Sequence, residues 1–181
     1  MIRTFVAVDF PQDYVEKIAR IQSKFKDFNI KPIDPNLIHI TLKFLGDVNE
    51  NKIEQIAGAL GEINIPSFDA RIGNIGVFPK PQYVKVIWLG AEGNFGELHD
   101  NVESVLKPFK FKKDKNTYTA HATLARVKYM PEKDKEAFLR VLGELKNTGI
   151  GTFHVDAIKL KKSTLTPGGP IYETLHEVRL K

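Results

Sequence analysis

Two tetrapeptides of one type stand out, His39-Ile40-Thr41-Leu42 and His121-Ala122-Thr123-Leu124, 82 residues apart in a chain of 181. A lone His-x-Thr on a strand is ordinarily structural. A pair spaced by nearly half the chain points to a duplicated unit that sets one copy on each side of a cleft. Histidine has a reference pKa of ~6.5, so it serves as base or acid near neutrality with little tuning. Opening a cyclic phosphodiester requires a proton taken from water on one side of phosphorus. It also requires a proton delivered to the departing ribose oxygen on the other. Imidazole nitrogens about 5–9 Å apart would suit that in-line geometry. The hydroxyls of Thr41 and Thr123 could hold the non-bridging oxygens. Strain in the five-membered phosphate ring assists, and this chemistry calls for no metal and no cofactor.

Competing chemistries leave weaker traces. No cysteine is present, which removes disulfides, thiolate nucleophiles and Cys-based zinc sites. Metal catalysis would want clustered carboxylates or a His-Glu-x-x-His spacing, and neither occurs. There is no phosphate-cradling Gly-x-x-x-x-Gly-Lys-Ser/Thr loop, and Gly73-Asn74-Ile75-Gly76 reads as a strand irregularity. His99 falls among helical residues and is expected at the surface. His154 and His176 have no counterpart in the other half and read as ordinary surface or strand residues.

Both motifs need elements to position them. Residues 2–9 alternate like a strand, Pro11 suits the first turn of a helix, and Val15, Ile18, Ile21, Phe25 and Phe28 form an apolar face. Leu37 to Leu45 reads as the strand of the first motif. Asn51 with Glu54 resembles a capping box, opening a helix with Ile53, Ile56, Ala57, Leu60 and Ile63 inward. A strand from about Phe68 closes this half. The order then repeats: a strand from Tyr83 to Gly90, a helix from Asn94, the second motif on Thr117 to Val127, a helix from Pro131 and a strand from Gly151. A last strand follows the turn Pro167-Gly168-Gly169-Pro170. First strands lie 81 residues apart, the histidines 82, and the strands near Phe68 and Gly151 83, a nearly constant offset. The expectation is one domain over 1–181, with pseudo-repeat lobes from halves 1–80 and 81–181.

On such strands alternation turns His39 and Thr41 to one face while Ile40 and Leu42 enter the core. His121 and Thr123 do the same over Ala122 and Leu124. Lys43 shares the face of His39 and is expected near phosphate. Arg126 has the opposite parity to His121, and would need a bulge or strand end to turn inward.

Composition limits the class. A hydrophobic share of 42% with 27% charged residues is that of a soluble globular protein, and no apolar run approaches the roughly 20 residues of a membrane span. The opening residues read as a strand and not as a secretory signal, so a cytoplasmic location is expected. The charge of +5 favours polyanions such as RNA. Lys107-Pro108-Phe109-Lys110-Phe111-Lys112-Lys113-Asp114-Lys115 mixes cations with aromatics as a phosphate-tracking, base-stacking segment would. Only two methionines, no cysteine and abundant Lys and Glu hint at a hot habitat.

At His39-Ile40-Thr41-Leu42-Lys43-Phe44-Leu45-Gly46 and His121-Ala122-Thr123-Leu124-Ala125-Arg126 the chain resembles the two-histidine phosphoesterase superfamily. The likeness is to its RNA 2′,3′-cyclic phosphodiesterases, also called 2′–5′ RNA ligases. Gly76-Val77-Phe78-Pro79, Val86-Ile87-Trp88-Leu89-Gly90 and the stretch Ser163 to Tyr172 extend the resemblance over nearly the whole chain. It implies a bilobal α+β fold, each lobe an antiparallel sheet with helices outside, and an active-site cleft between. It implies metal-independent hydrolysis of RNA 2′,3′-cyclic phosphate ends to 2′-phosphomonoesters. His39 would be the proton donor and His121 the proton acceptor, with Thr41 and Thr123 on phosphate and Arg126 a phosphate or RNA contact. The same groups run backwards could join RNA ends, tRNA halves among them, by a 2′–5′ bond. A further alternative is an RNA-binding module that has lost turnover. Relatives commonly carry Pro before the second motif, where this chain has Ala120. No membrane partner is expected, and a monomer is the simplest state.

Overall fold

Apolar alternation and two helical stripes per half build thirteen elements in a computed structural model that describes residues 1–181. They are β1 (Ile2–Asp9), α1 (Tyr14–Ser23), β2 (Ile30–Pro32), β3 (His39–Val48), α2 (Ile53–Gly61), β4 (Phe68–Lys80) and β5 (Tyr83–Glu92). Then come α3 (Phe95–Leu106), β6 (His121–Val127), α4 (Glu132–Leu145), β7 (Gly149–Val155), β8 (Ala157–Thr166) and β9 (Gly169–Arg179). Every strand pairing is antiparallel.

The strands form two sheets, one ordered β3-β1-β8-β9 and the other β2-β6-β5-β4-β7. The fold is therefore bilobal α+β, but the lobes do not divide the chain at residue 80. β2 and β4 of the first half join the second sheet, and β8 and β9 of the second half join the first. The offset that matched the strand near Phe68 to the one near Gly151 joined neighbours: Phe68 pairs with Val155. By position, β1 between β3 and β8 corresponds to β5 between β6 and β4. Each half thus lends strands to the other sheet. One cluster of 38 buried apolar residues runs through both, from Val6 and Leu42 to Ile87 and Leu124, so the lobes share a core.

The helices bury the stripes read from the sequence: Ile18 and Ile21 on α1, Ile56 and Leu60 on α2, Leu98 and Val102 on α3, Phe138 and Leu142 on α4. α3 meets β3 and α2 meets β9, whereas α1 meets β6 and α4 meets β4. The cap before α2 is Asn49, whose side-chain oxygen accepts from the Asn51 amide at the start of a 3₁₀ turn over Glu50–Lys52. The expected box at Asn51 is thus displaced by that turn. No helix is long and apolar enough to cross a membrane.

Candidate active site

His39 opens β3 opposite Asp9, and His121 opens β6 opposite Gly90. Each imidazole is anchored by the same local device. Nδ1 of His39 lies 2.9 Å from the Leu37 carbonyl, and Nδ1 of His121 lies 2.7 Å from the Thr119 carbonyl. A carbonyl only accepts, so in both rings Nδ1 carries the proton and donates it. Nε2 is left as the free nitrogen in both, able to take or give a proton. Two residues on, Thr41 and Thr123 lie half-buried on the same face as their histidines, between buried neighbours.

The alternation that places His and Thr together breaks in the same way in both motifs. Residues 39–45 and 121–127 share one burial pattern, with two buried residues in succession at 42–43 and 124–125. The strand registers show why. Val6 pairs with Lys43 and Ala7 with Thr41, skipping Leu42. Ile87 pairs with Ala125 and Trp88 with Thr123, skipping Leu124. One extra residue reverses the side-chain faces beyond it. Lys43 therefore points into the core, 2% exposed, where its ammonium pairs with Glu103 on α3. It does not share the face of His39, and its expected phosphate contact is corrected. Arg126, beyond the matching bulge, emerges exposed. At the corresponding place in β3 stands Phe44, 61% exposed.

Backbone groups near each bulge find partners. The Leu124 carbonyl accepts from the Ile33 amide at 2.9 Å and from the buried Gln22 side-chain amide at 2.8 Å. The Thr41 carbonyl accepts from the Tyr118 hydroxyl at 3.2 Å. Tyr118 stacks flat on His99, and burial pushes its phenol pKa upward. His99 is thereby covered, contrary to its expected place at the surface. The segment carrying Tyr118 also holds Thr119, so one short stretch braces both motifs. The Lys112 carbonyl accepts from Lys43 Nζ, which docks the Lys-rich segment beside β3.

Around the two imidazoles the walls differ. His39 stacks on Phe5, with centroids 4.8 Å apart, and meets the edge of Tyr172 at 5.3 Å. Next to it Asp9 bonds Lys161 at 2.7 Å and Lys159 at 3.0 Å. Burial raises the Asp9 carboxyl, but these two ammonium groups together hold it below its ordinary value. Burial pushes the His39 pKa down; its bond to the Leu37 carbonyl opposes that, and Lys161 adds to it. His121 instead meets Phe78 at 5.0 Å and Trp88 at 6.2 Å, edge-on in both cases. Trp88 lies across Gly76, its partner on β4, where any side chain would overlap the indole.

β3 and β6 are in contact. Burial raises the Tyr172 phenol, and the positive charges of Arg126 and Arg3 oppose that rise. Tyr172 in turn touches His39. β3 carries His39 and Thr41, and β6, in contact with it, carries His121, Thr123 and Arg126, while Lys43 is buried against Glu103. Phe44, Tyr172 and Phe5 were not singled out in the sequence. Phe44 was hidden by the bulge, and Tyr172 arrives on β9 from the far end of the chain. His154 bonds Asp69 at 2.8 Å well along the chain from both motifs, and His176 is exposed. No group of three or more metal-ligating side chains is gathered anywhere.

Two antiparallel sheets, each with one His-x-Thr strand, make up the fold of a phosphoesterase. The chain belongs to the family of LigT-like phosphoesterases, whose model matches residues 8–88 and 90–172. It is an enzyme of that family. It is 38% identical over 97% of its length to the RNA 2′,3′-cyclic phosphodiesterase of Methanocaldococcus jannaschii, covering 99% of that protein. Among solved structures, one from Thermus thermophilus matches with a TM-score of 0.82 and 26% identity, covering 99% of this chain and 98% of that one. The fold is also that of Escherichia coli LigT complexed with 3′-AMP, with a TM-score of 0.80, 21% identity and the same two coverages.

Proposed function

We propose that this enzyme hydrolyses RNA 2′,3′-cyclic phosphate ends to 2′-phosphomonoesters by metal-independent acid–base catalysis. The observation that carries the reading is the matched pair of Nδ1-to-carbonyl bonds, which leaves Nε2 free on both imidazoles. Neutral His121 takes a proton from water as its oxygen attacks phosphorus. The P–O3′ bond breaks on the opposite side, and protonated His39 gives its Nε2 proton to that oxygen. Thr41, Thr123 and Arg126 stabilise the charge gathering on the non-bridging oxygens. Exposed Phe44 offers a face on which the terminal base stacks. Burial favours the neutral form of His39, and an arriving phosphate anion would favour its charged form.

The name carried by the Methanocaldococcus jannaschii relative supports RNA ends as the substrate. Residues 1–181 act as one catalytic unit, working as a monomer in the cytoplasm. The test is incubation of an oligonucleotide ending in a 2′,3′-cyclic phosphate with the enzyme in excess EDTA, followed by identification of the product isomer. A 2′-phosphomonoester formed at the chelator-free rate is expected. Loss of turnover in EDTA would remove the mechanism, and accumulation of a 2′–5′-joined product would make ligation the main activity.

A further inference from the structure

Among the neighbours of His39 lies a cavity of about 240 Å³. Its lining includes Asp9, Gln12, Asn36, Leu37, Lys161 and Tyr172. Three of these belong to the His39 surroundings: Leu37 holds its Nδ1, Tyr172 touches its ring, and Asp9 faces it across the ladder. The cavity borders the segment before His39, while Thr41 and Phe44 lie further along the same strand. The order along β3 is therefore cavity, imidazole, phosphate-binding hydroxyl, exposed ring. A substrate with its reacting phosphate at His39 and Thr41, and its base on Phe44, would meet this cavity on extending past His39 toward the start of β3.

The chemistry of the cavity fits that extension. Lys161 is only 9% exposed and yet lines the cavity. Its ammonium has three donors, of which Asp9 takes one at 2.7 Å. Asp9 is shared between Lys161 and Lys159, and Lys159 also meets Glu177 at 3.8 Å, so what Lys161 offers a phosphodiester is its remaining ammonium donors. The amides of Gln12 and Asn36 and the Tyr172 hydroxyl can both donate to and accept from ribose hydroxyls. The volume far exceeds the ~30 Å³ share of a single water. We propose that this cavity is a subsite for the nucleotide preceding the cyclic-phosphate end, with Lys161 contacting the connecting phosphodiester. The proposal rests on the phosphodiesterase reading above and gives the enzyme a preference for RNA over cyclic mononucleotides.

The experiment compares kcat/KM for adenosine 2′,3′-cyclic phosphate with that for the dinucleotide ApA ending in the same cyclic phosphate. The native enzyme should favour the dinucleotide. Lys161→Met should reduce that preference by about tenfold or more, the effect of one charge-assisted hydrogen bond. Gln12→Ala, at an exposed position, should reduce it by roughly threefold, and it decides the matter should Lys161→Met fail to fold. Equal kcat/KM for both substrates in the native enzyme, or an unchanged ratio in the folded variants, would overturn the subsite alone. Hydrolysis of neither substrate would overturn the phosphodiesterase reading and the subsite with it.

Discussion

The His39 and His121 half-sites share their backbone and differ in almost everything placed around it. Both rings donate Nδ1 to a carbonyl two residues upstream, and both motifs carry a bulge one residue after the threonine. The neighbours diverge at corresponding places: Asp9 against Gly90 opposite the histidine, Phe44 against Arg126 beyond the bulge. One half is lined by an ion-paired cluster and Tyr172, the other by Phe78 and Trp88. A duplicated strand supplies two equivalent imidazoles. In the proposed mechanism their unlike surroundings suit unlike work, because a reaction that takes one proton and gives another needs one ring neutral and one charged.

That contrast can be broken at the position beyond the bulge. Arg126→Met should cost roughly 10²–10³ in kcat, the loss of a preorganised cation at the phosphate, with no change in thermal midpoint because the side chain is exposed. Full turnover in Arg126→Met would leave the two half-sites functionally alike. In the other half, one residue before Phe44, the expectation reverses. Lys43→Met should keep turnover but lower stability by about 1–3 kcal/mol in urea unfolding, since Glu103 loses its buried partner. A folded Lys43→Met enzyme without turnover would return Lys43 to the site.

The pH dependence sharpens the contrast further. Burial lowers the His39 pKa, so the charged form of this donor is lost in the free enzyme below the ordinary histidine value of ~6.5 as pH rises. Bound phosphate raises it again. Both profiles should be bell-shaped, with the alkaline limb of kcat at higher pH than that of kcat/KM. Coincident limbs would count against His39 as the acid.

Much of this was legible in the residues. The apolar stripes of the four helices, the two motif strands and the pairing of His with Thr all follow from local periodicity. Three things did not. A bulge inserts one residue opposite none, and nothing in Leu42 or Leu124 announces it; only the registers of β1 and β5 reveal that Lys43 turns inward and Arg126 outward. Strand exchange between the lobes was hidden because repeat spacing records order along the chain and not which sheet a strand joins. Tyr172 and Lys161 reach His39 through that exchange, from more than 100 residues away. The mixed Lys and aromatic run, read as a track for RNA, also braces the fold through the Lys112 carbonyl, shortly before Tyr118 reaches the first motif.

The division of labour between the imidazoles is tested most directly by a substrate whose leaving atom needs no proton. In a 2′,3′-cyclic phosphate with sulfur at the 3′ position, the departing thiolate is stable unprotonated, so the acid becomes dispensable and the base does not. On the oxygen substrate, His39→Ala and His121→Ala should each lose roughly 10²–10⁴ in kcat. On the sulfur substrate, His39→Ala should recover nearly native turnover while His121→Ala stays impaired. Rescue of His121→Ala instead, or of neither variant, would contradict the account.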